Sequence, residues 1–277
     1  MVKRRCTVVA AALLLAVGGG AAAAAGELVV LTPSKDNTLY EDPNGALSNG
    51  LGSAMFAGRN SAPSNSVRRA VLAFDVAAAI PAGATIDAVT LTLTESGSNV
   101  GEQVVALHRL TADWGEGASL AGGNQGGGGP AAPGDATWLH RFFATEAWGV
   151  AGGDFAGLAS SQTTVGGPGV YTWPSTAALV ADVQGFLDDP GASFGWIVIG
   201  NEASGGTAKR FSTRNEPNAE LRPRLTVEYT PIPEPGMGLI PLALVGVVKL
   251  RGWRGRRIAG LRSAPGLPRS SGLSTAF

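Results

Sequence analysis

Oxygen-bearing side chains gather near the start of the chain, where Asp36, Asn37, Glu41 and Asp42 lie close together and Asp75 follows later. Calcium takes about six to eight oxygen ligands and tolerates loop geometry. Asp36, Asn37, Asp42 and Asp75 are therefore candidate ligands for a structural calcium ion. The same residue types also build Asx-turns and solvated loops, so both readings stand at this point. Histidine offers less. His108 and His140 are the only two, and neither sits in an HExxH or other metal-ligand spacing. Gly117-Ala118-Ser119-Leu120-Ala121 lacks the closing glycine of a nucleophile elbow. With so many acids in the chain, carboxylates at glycosidase separation arise by chance. No catalytic residue is named, no cofactor is expected beyond that ion, and the expectation is a protein that is not an enzyme. Trp114, Trp138, Trp148, Trp173 and Trp196 are each able to stack on a sugar ring, but Trp196 sits in Trp-Ile-Val-Ile and reads as buried.

These residues need a frame, and the frame reads as strands. Val89, Leu91 and Leu93 alternate with Thr90, Thr92 and Thr94, the period of a half-buried strand. Arg69 to Val76 does the same with Ala70, Leu72, Phe74 and Val76. Further strands are predicted over 28–32, 54–58, 104–110, 170–173, 196–200, 210–213 and 225–229. Turn residues such as Pro43-Asn44-Gly45 and Pro81-Ala82-Gly83 punctuate them. Many short strands without a βαβ rhythm predict an all-β fold, an antiparallel β-sandwich. One short crossover helix interrupts it, with Ser175 as N-cap and Leu179, Val180, Val183, Phe186 and Leu187 on one face. The glycine-rich stretch 115–134 predicts a flexible loop. It has no strand, helix and lysine arranged to cradle a phosphate.

The ends carry addresses. Lys3, Arg4 and Arg5, the apolar run Val8–Val17 and small residues to Ala25 have the layout of a cleavable signal peptide, residues 1–25. The single cysteine, Cys6, falls within it, so the body has no disulfide chemistry. Near the other end, Pro233-Glu234-Pro235 precedes an apolar stretch, then Lys249, Arg251, Arg254, Arg256 and Arg257. Such a stretch is short for a bilayer but suits a transient membrane insertion. Between the ends, eleven Lys and Arg face twenty Asp and Glu, a balance of −9 that disfavours nucleic acid.

Two resemblances follow. Pro233-Glu234-Pro235, the hydrophobic segment and the arginines Arg254, Arg256 and Arg257 resemble a PEP-CTERM sorting signal. That likeness implies an exosortase-like processing enzyme, a Gram-negative cell and an exopolysaccharide or biofilm setting. The body, through Asp36-Asn37-Thr38-Leu39-Tyr40-Glu41, Arg69-Ala70-Val71-Leu72-Ala73-Phe74-Asp75, Trp114-Gly115-Glu116-Gly117, Phe211-Ser212-Thr213-Arg214-Asn215 and Arg222-Pro223-Arg224-Leu225, resembles the DNRLRE domain family. That likeness implies a jelly-roll sandwich related to carbohydrate-binding modules, some of which take alginate-like polysaccharides. The expected organisation is a signal peptide at 1–25, the sandwich at 26–230, the sorting signal at 231–257 and a disordered tail at 258–277. The expected role is an exported, non-catalytic cell-envelope or extracellular-matrix protein that binds or organises polysaccharide. The alternatives are a self-associating structural surface protein without a sugar ligand, and a polysaccharide lyase or hydrolase.

Overall fold

Alternation along the chain becomes an antiparallel sheet whose inward face is dry and whose outer face is partly covered. The computed structural model describes residues 25–98 and 100–232. Of the expected signal peptide 1–25 all but the last residue, the residues Pro233, Glu234, Pro235, Arg254, Arg256 and Arg257 of the expected sorting signal, and the expected tail 258–277 lie outside the described residues. No helix among the described residues is long and apolar enough to cross a membrane.

The strands are β1 Glu27–Leu31, β2 Lys35–Tyr40, β3 Leu47–Ser48, β4 Ala54–Arg59, β5 Val67–Ala73, β6 Thr85–Glu95, β7 Gln103–Leu110, β8 Gly129–Pro130, β9 His140–Phe142, β10 Glu146–Ala147, β11 Phe155–Val165, β12 Gly169–Trp173, β13 Trp196–Ile199, β14 Lys209–Ser212 and β15 Arg224–Thr230. Eleven of them form one sheet in the order β1-β15-β6-β14-β4-β5-β13-β7-β11, with β12 added to β6 and β2 to β5. All pairings are antiparallel. The fold is all-β.

The sheet turns a corner at β4. Its first residues pair with β14, from Ala54↔Ser212 to Ala57↔Lys209, whereas Gly58 and Arg59 pair with β5. Gly58 makes the bend at φ +116°, and a Cβ there would meet the Thr207 carbonyl oxygen at 3.0 Å. The main core lies on the inward faces of the strands, with Leu91, Leu93, Val227, Leu72, Leu107, Trp173, Trp196 and Phe211 in it. A second core forms on the opposite face of β5 and β13, where Val71, Ala73 and Ile197 meet Leu39, Trp114 and Trp148. Segment 111–155 thus covers a sheet face that would otherwise be wet.

The one long helix among the described residues, α2 (Ala177–Asp188), buries Leu179, Val183, Phe186 and Leu187 as their spacing predicts. Its N-cap is Thr176 rather than Ser175, because the Thr176 hydroxyl accepts from the Leu179 N–H. Ser175 instead accepts from the Val89 N–H, and Gln184 Oε1 from the Ile86 N–H, so the helix satisfies part of the β6 edge. The strand expected to run to Val76 ends at Ala73. Asp75 there caps a single turn, α1 (Val76–Ala79), by accepting from the Ala78 N–H.

Candidate functional site

A groove of about 390 Å³ opens on the outer face of the corner, bounded by Phe56, Asn60, Arg68, Asn124, Ala208 and Arg210. Its floor follows from strand alternation. Met55 and Ala57 enter the main core, so Phe56 turns outward, where it packs with Tyr40 and Ala54. On the neighbouring strand Lys209 and Phe211 are buried, and Arg210 shares the outer face with Phe56.

Both arginines are held in place. Arg68 is almost fully buried, its guanidinium 5.0 Å from the Tyr40 ring centre. Its Nε donates to the Gly126 carbonyl at 3.1 Å, and Nη1 to the carbonyls of Asn65 and Val67 at 3.0 and 2.8 Å. Burial lowers its pKa, the neighbouring Tyr40 and Glu41 opposing that shift. Arg210 donates through Nη1 to the Ser96 hydroxyl. Six of the body's cations form ion pairs, but neither Arg68 nor Arg210 has a carboxylate partner among the described residues. In a body of charge −9, two unpaired guanidiniums beside one aromatic ring make a local anion-attracting spot.

The groove's far wall is the glycine-rich loop, and this corrects the expectation that 115–134 is loose. Gln125 Oε1 accepts from the Asn49 amide and from the Ala54 N–H, while the Tyr40 hydroxyl donates to the Gln125 carbonyl. Ala121 N–H donates to Asn49 Oδ1, and Asp135 Oδ2 accepts from the Ala132 N–H. Gly126 passes over Phe56 at ordinary contact distance, a Cβ lying 3.6 Å from the ring. At Gly129 a Cβ would meet the Leu120 carbonyl oxygen at 2.8 Å, so that glycine serves a close backbone approach.

The sequence-predicted oxygen ligands separate into different roles. Asp36 and Asn37 are buried neighbours on β2. Asn37 Oδ1 accepts from Thr38 N–H, Asn49 N–H and the Ser48 hydroxyl, while its Nδ2 donates to Ser48 Oγ and the Glu116 carbonyl. Asp42 lies on the following turn, accepting from the Ala46 N–H, and Asp75 caps α1. Among the described residues no group of three or more His, Cys, Asp or Glu is arranged to hold a metal.

Asp36 belongs to a different constellation, one that sequence reasoning missed. Glu116 forms a two-point ion pair with Arg214, and its Oε1 also accepts from the Asp36 N–H at 2.9 Å. Asp36 Oδ2 accepts from the Arg214 N–H at 2.7 Å, while Oδ1 is buried without a partner. Burial, with Glu116 alongside, pushes the Asp36 carboxyl up to about 7 against the pull of Arg214. This cluster clasps β2 to the chain after β14.

Among the described residues the tryptophans and histidines make their contacts within the fold. Trp114, Trp148, Trp173 and Trp196 are buried, their indole N–H groups donating to Phe194 O, Thr137 O, Val105 O and Asp182 Oδ2. Half-buried Trp138 has the Arg69 guanidinium 5.0 Å from its ring centre. His108 Nδ1 lies 2.9 Å from the Ala156 carbonyl, and His140 Nδ1 lies 3.2 Å from Thr137 Oγ1. The groove's aromatic is Phe56 instead. No protein-family model matches the chain, and no curated protein matches it either.

Proposed function

We propose that this protein is an exported, non-catalytic cell-envelope or matrix component whose outer groove binds an acidic polysaccharide. The observation that carries the reading is the pair Arg68 and Arg210, neither with a carboxylate partner among the described residues, set beside Phe56 and the amides of Asn60 and Asn124. The partly exposed Arg210 guanidinium can donate to a carboxylate, buried Arg68 adds positive charge behind it, Phe56 beneath Gly126 supplies an apolar floor, and amides pair with hydroxyls. The leader-like N-terminus and the Pro233-Glu234-Pro235 tail support export to a surface rich in such polymers. The DNRLRE-like motifs support reading the cornered sheet as a jelly-roll sandwich. None of Asp36, Asn37, Asp42 and Asp75 lines the groove, so the binding proposed here calls for no ion at that site.

Affinity electrophoresis through gels containing uronate-rich or neutral glycans tests the proposal, run once with calcium and once with chelator. Retardation in the uronate gels alone, in both conditions, is the expected result. Equal mobility in every gel overturns it.

A further inference from the structure

A sheet that does not close has edges, and an edge strand exposes a row of N–H and C=O groups that another strand can pair with. Proteins usually blunt such edges with bulges, lysines, prolines or covering segments. The two ends of this sheet are treated differently. At one end, β11 pairs with β7 through register shifts between Phe155 and Ala159 and between Ala159 and Ser161. It is also tied to α2, with the Ser160 hydroxyl donating to Asp182 and the Thr176 hydroxyl donating to the Ser160 carbonyl. At the other end, β1 pairs with β15 in unbroken register from Glu27↔Tyr229 to Leu31↔Leu225. It contains no lysine, proline or bulge, and no strand among the described residues pairs with its other side.

The side chains of β1 point the same way. Val29 and Leu31 turn toward the core, whereas Leu28 and Val30 stand 62% and 51% exposed on the outer face. We propose that β1 is a self-association edge, and that its occupant is β1 of a second copy added antiparallel about a two-fold axis at Val29. The strand Glu-Leu-Val-Val-Leu is self-complementary in that register. Leu28 faces Val30 of the other copy on the outer face, twice over, and the sheet continues unbroken through both protomers.

Charge favours the same occupant. The one ionisable group on β1, Glu27, falls opposite Leu31 of the other copy, so no like charges meet. Its carboxylate also accepts a hydrogen bond from the Tyr229 hydroxyl at 2.7 Å, which ties it to its own sheet. Elsewhere the body, residues 27–230, carries a net charge of −9 that opposes contact between copies, which leaves this neutral strip as the place of approach. Five residues a side fall well short of the roughly 1,600 Å² of a standard interface, so association is weak and depends on concentration.

Sedimentation velocity of the purified chain over a wide concentration range tests this. The expected result is a concentration-dependent dimer that disappears in Leu28→Lys/Val30→Lys, both exposed positions opposite Glu228 and Thr226 on β15, where a lysine is accommodated in the monomer. The same change at Leu158, 79% exposed on β11, leaves the dimer intact. A second readout uses Val29→Cys in a Cys6→Ser background, where the introduced thiol is the only one in the chain. It forms an intermolecular disulfide, whereas Val170→Cys on exposed β12 does not. A monomer at every concentration overturns the proposal, as does a dimer indifferent to the double lysine variant or cross-linking that is equal at Val29 and Val170.

Discussion

Phe56 and Arg210 stand opposite each other across the β4–β14 pair. That register brings an aromatic ring and a guanidinium to one surface, although they come from distant parts of the chain. The two strands are held square by the bend at Gly58 and by the buried neighbours Met55, Ala57 and Phe211. The groove is therefore built by the corner of the sheet and does not depend on a free loop tip.

Arg210 lies on the outer face and its removal leaves the core untouched, so Arg210→Ala separates binding from folding. Hydrogen bonds to charged groups contribute about 1.5–3 kcal/mol each, which corresponds to a loss of roughly tenfold to a hundredfold in affinity for a uronate-rich glycan. Arg210→Lys keeps the charge but loses the fork, and it recovers only part of that loss. Titration of the glycan by calorimetry checks both, with melting curves confirming an unchanged fold. Wild-type affinity in Arg210→Ala removes Arg210 from the groove's function.

Much of the frame was legible in the sequence, and the site was not. β6 shows clean alternation because one face is buried and the other half-exposed along most of its length, as Val89, Leu91 and Leu93 set against Thr90 and Thr92 attest, before both faces close at Thr94 and Glu95. β11 hides, since its bulges switch which residues face inward and Phe155–Val165 is rich in small and polar side chains. The Thr176 cap differs from the expected Ser175 because a neighbouring N–H on β6 claims the serine. Phe56 and Arg210 carry no local signal, and only the strand register joins them. Asp36 and Arg214 meet across 178 residues, a separation no local spacing encodes.

The Asp36 carboxyl gives the fold a specific pH signature. Its pKa rises from 3.8 to about 7 on folding, through burial first and the negative Glu116 nearby. A raised acid pKa means that the folded state holds the proton more tightly than the unfolded chain. This group's stabilisation is therefore fully present below about pH 4 and is lost as pH rises toward 7. Asp36→Asn keeps the shape of the protonated acid and removes the titration. The stability difference between wild type and Asp36→Asn should shift toward the variant between pH 4 and pH 8, at up to about 1.4 kcal/mol per pH unit. Urea unfolding at several pH values measures it, and a constant difference across that range refutes the assignment.

Gly58 is required by the corner itself. At φ +116° a side chain is strained, and a Cβ would also crowd Thr207 O at 3.0 Å and Ala208 Cα at 3.1 Å. Gly58→Ala should cost about 1–3 kcal/mol in urea unfolding, the range for a residue forced into a sparsely populated backbone region. Because Ala208 lines the groove, the same variant should also weaken glycan binding. A neutral substitution would mean that the corner relaxes without that glycine.

Lys209 is fully buried on β14, a position where an unsatisfied ammonium would be costly. Its Nζ donates to the carbonyls of Val100, Gly101 and Gly166 at 2.9, 2.8 and 2.6 Å. One side chain thus ties the lead-in to β7 and the β11–β12 turn to the strand that carries Arg210. Burial lowers its pKa, and Glu95 opposes that shift. Lys209→Met keeps most of the aliphatic volume but leaves the carbonyls of Val100, Gly101 and Gly166 without this donor. Hydrogen bonds to a charged group contribute about 1.5–3 kcal/mol each, and water reaches these partly exposed carbonyls, so a net loss of about 3 kcal/mol is expected. For a body of this size that lowers Tm by roughly 6–12 °C. Scanning calorimetry of the two proteins decides it. A shift of under about 2 °C would mean that water replaces the ammonium at all three carbonyls, and that β14 is held by its strand pairing alone.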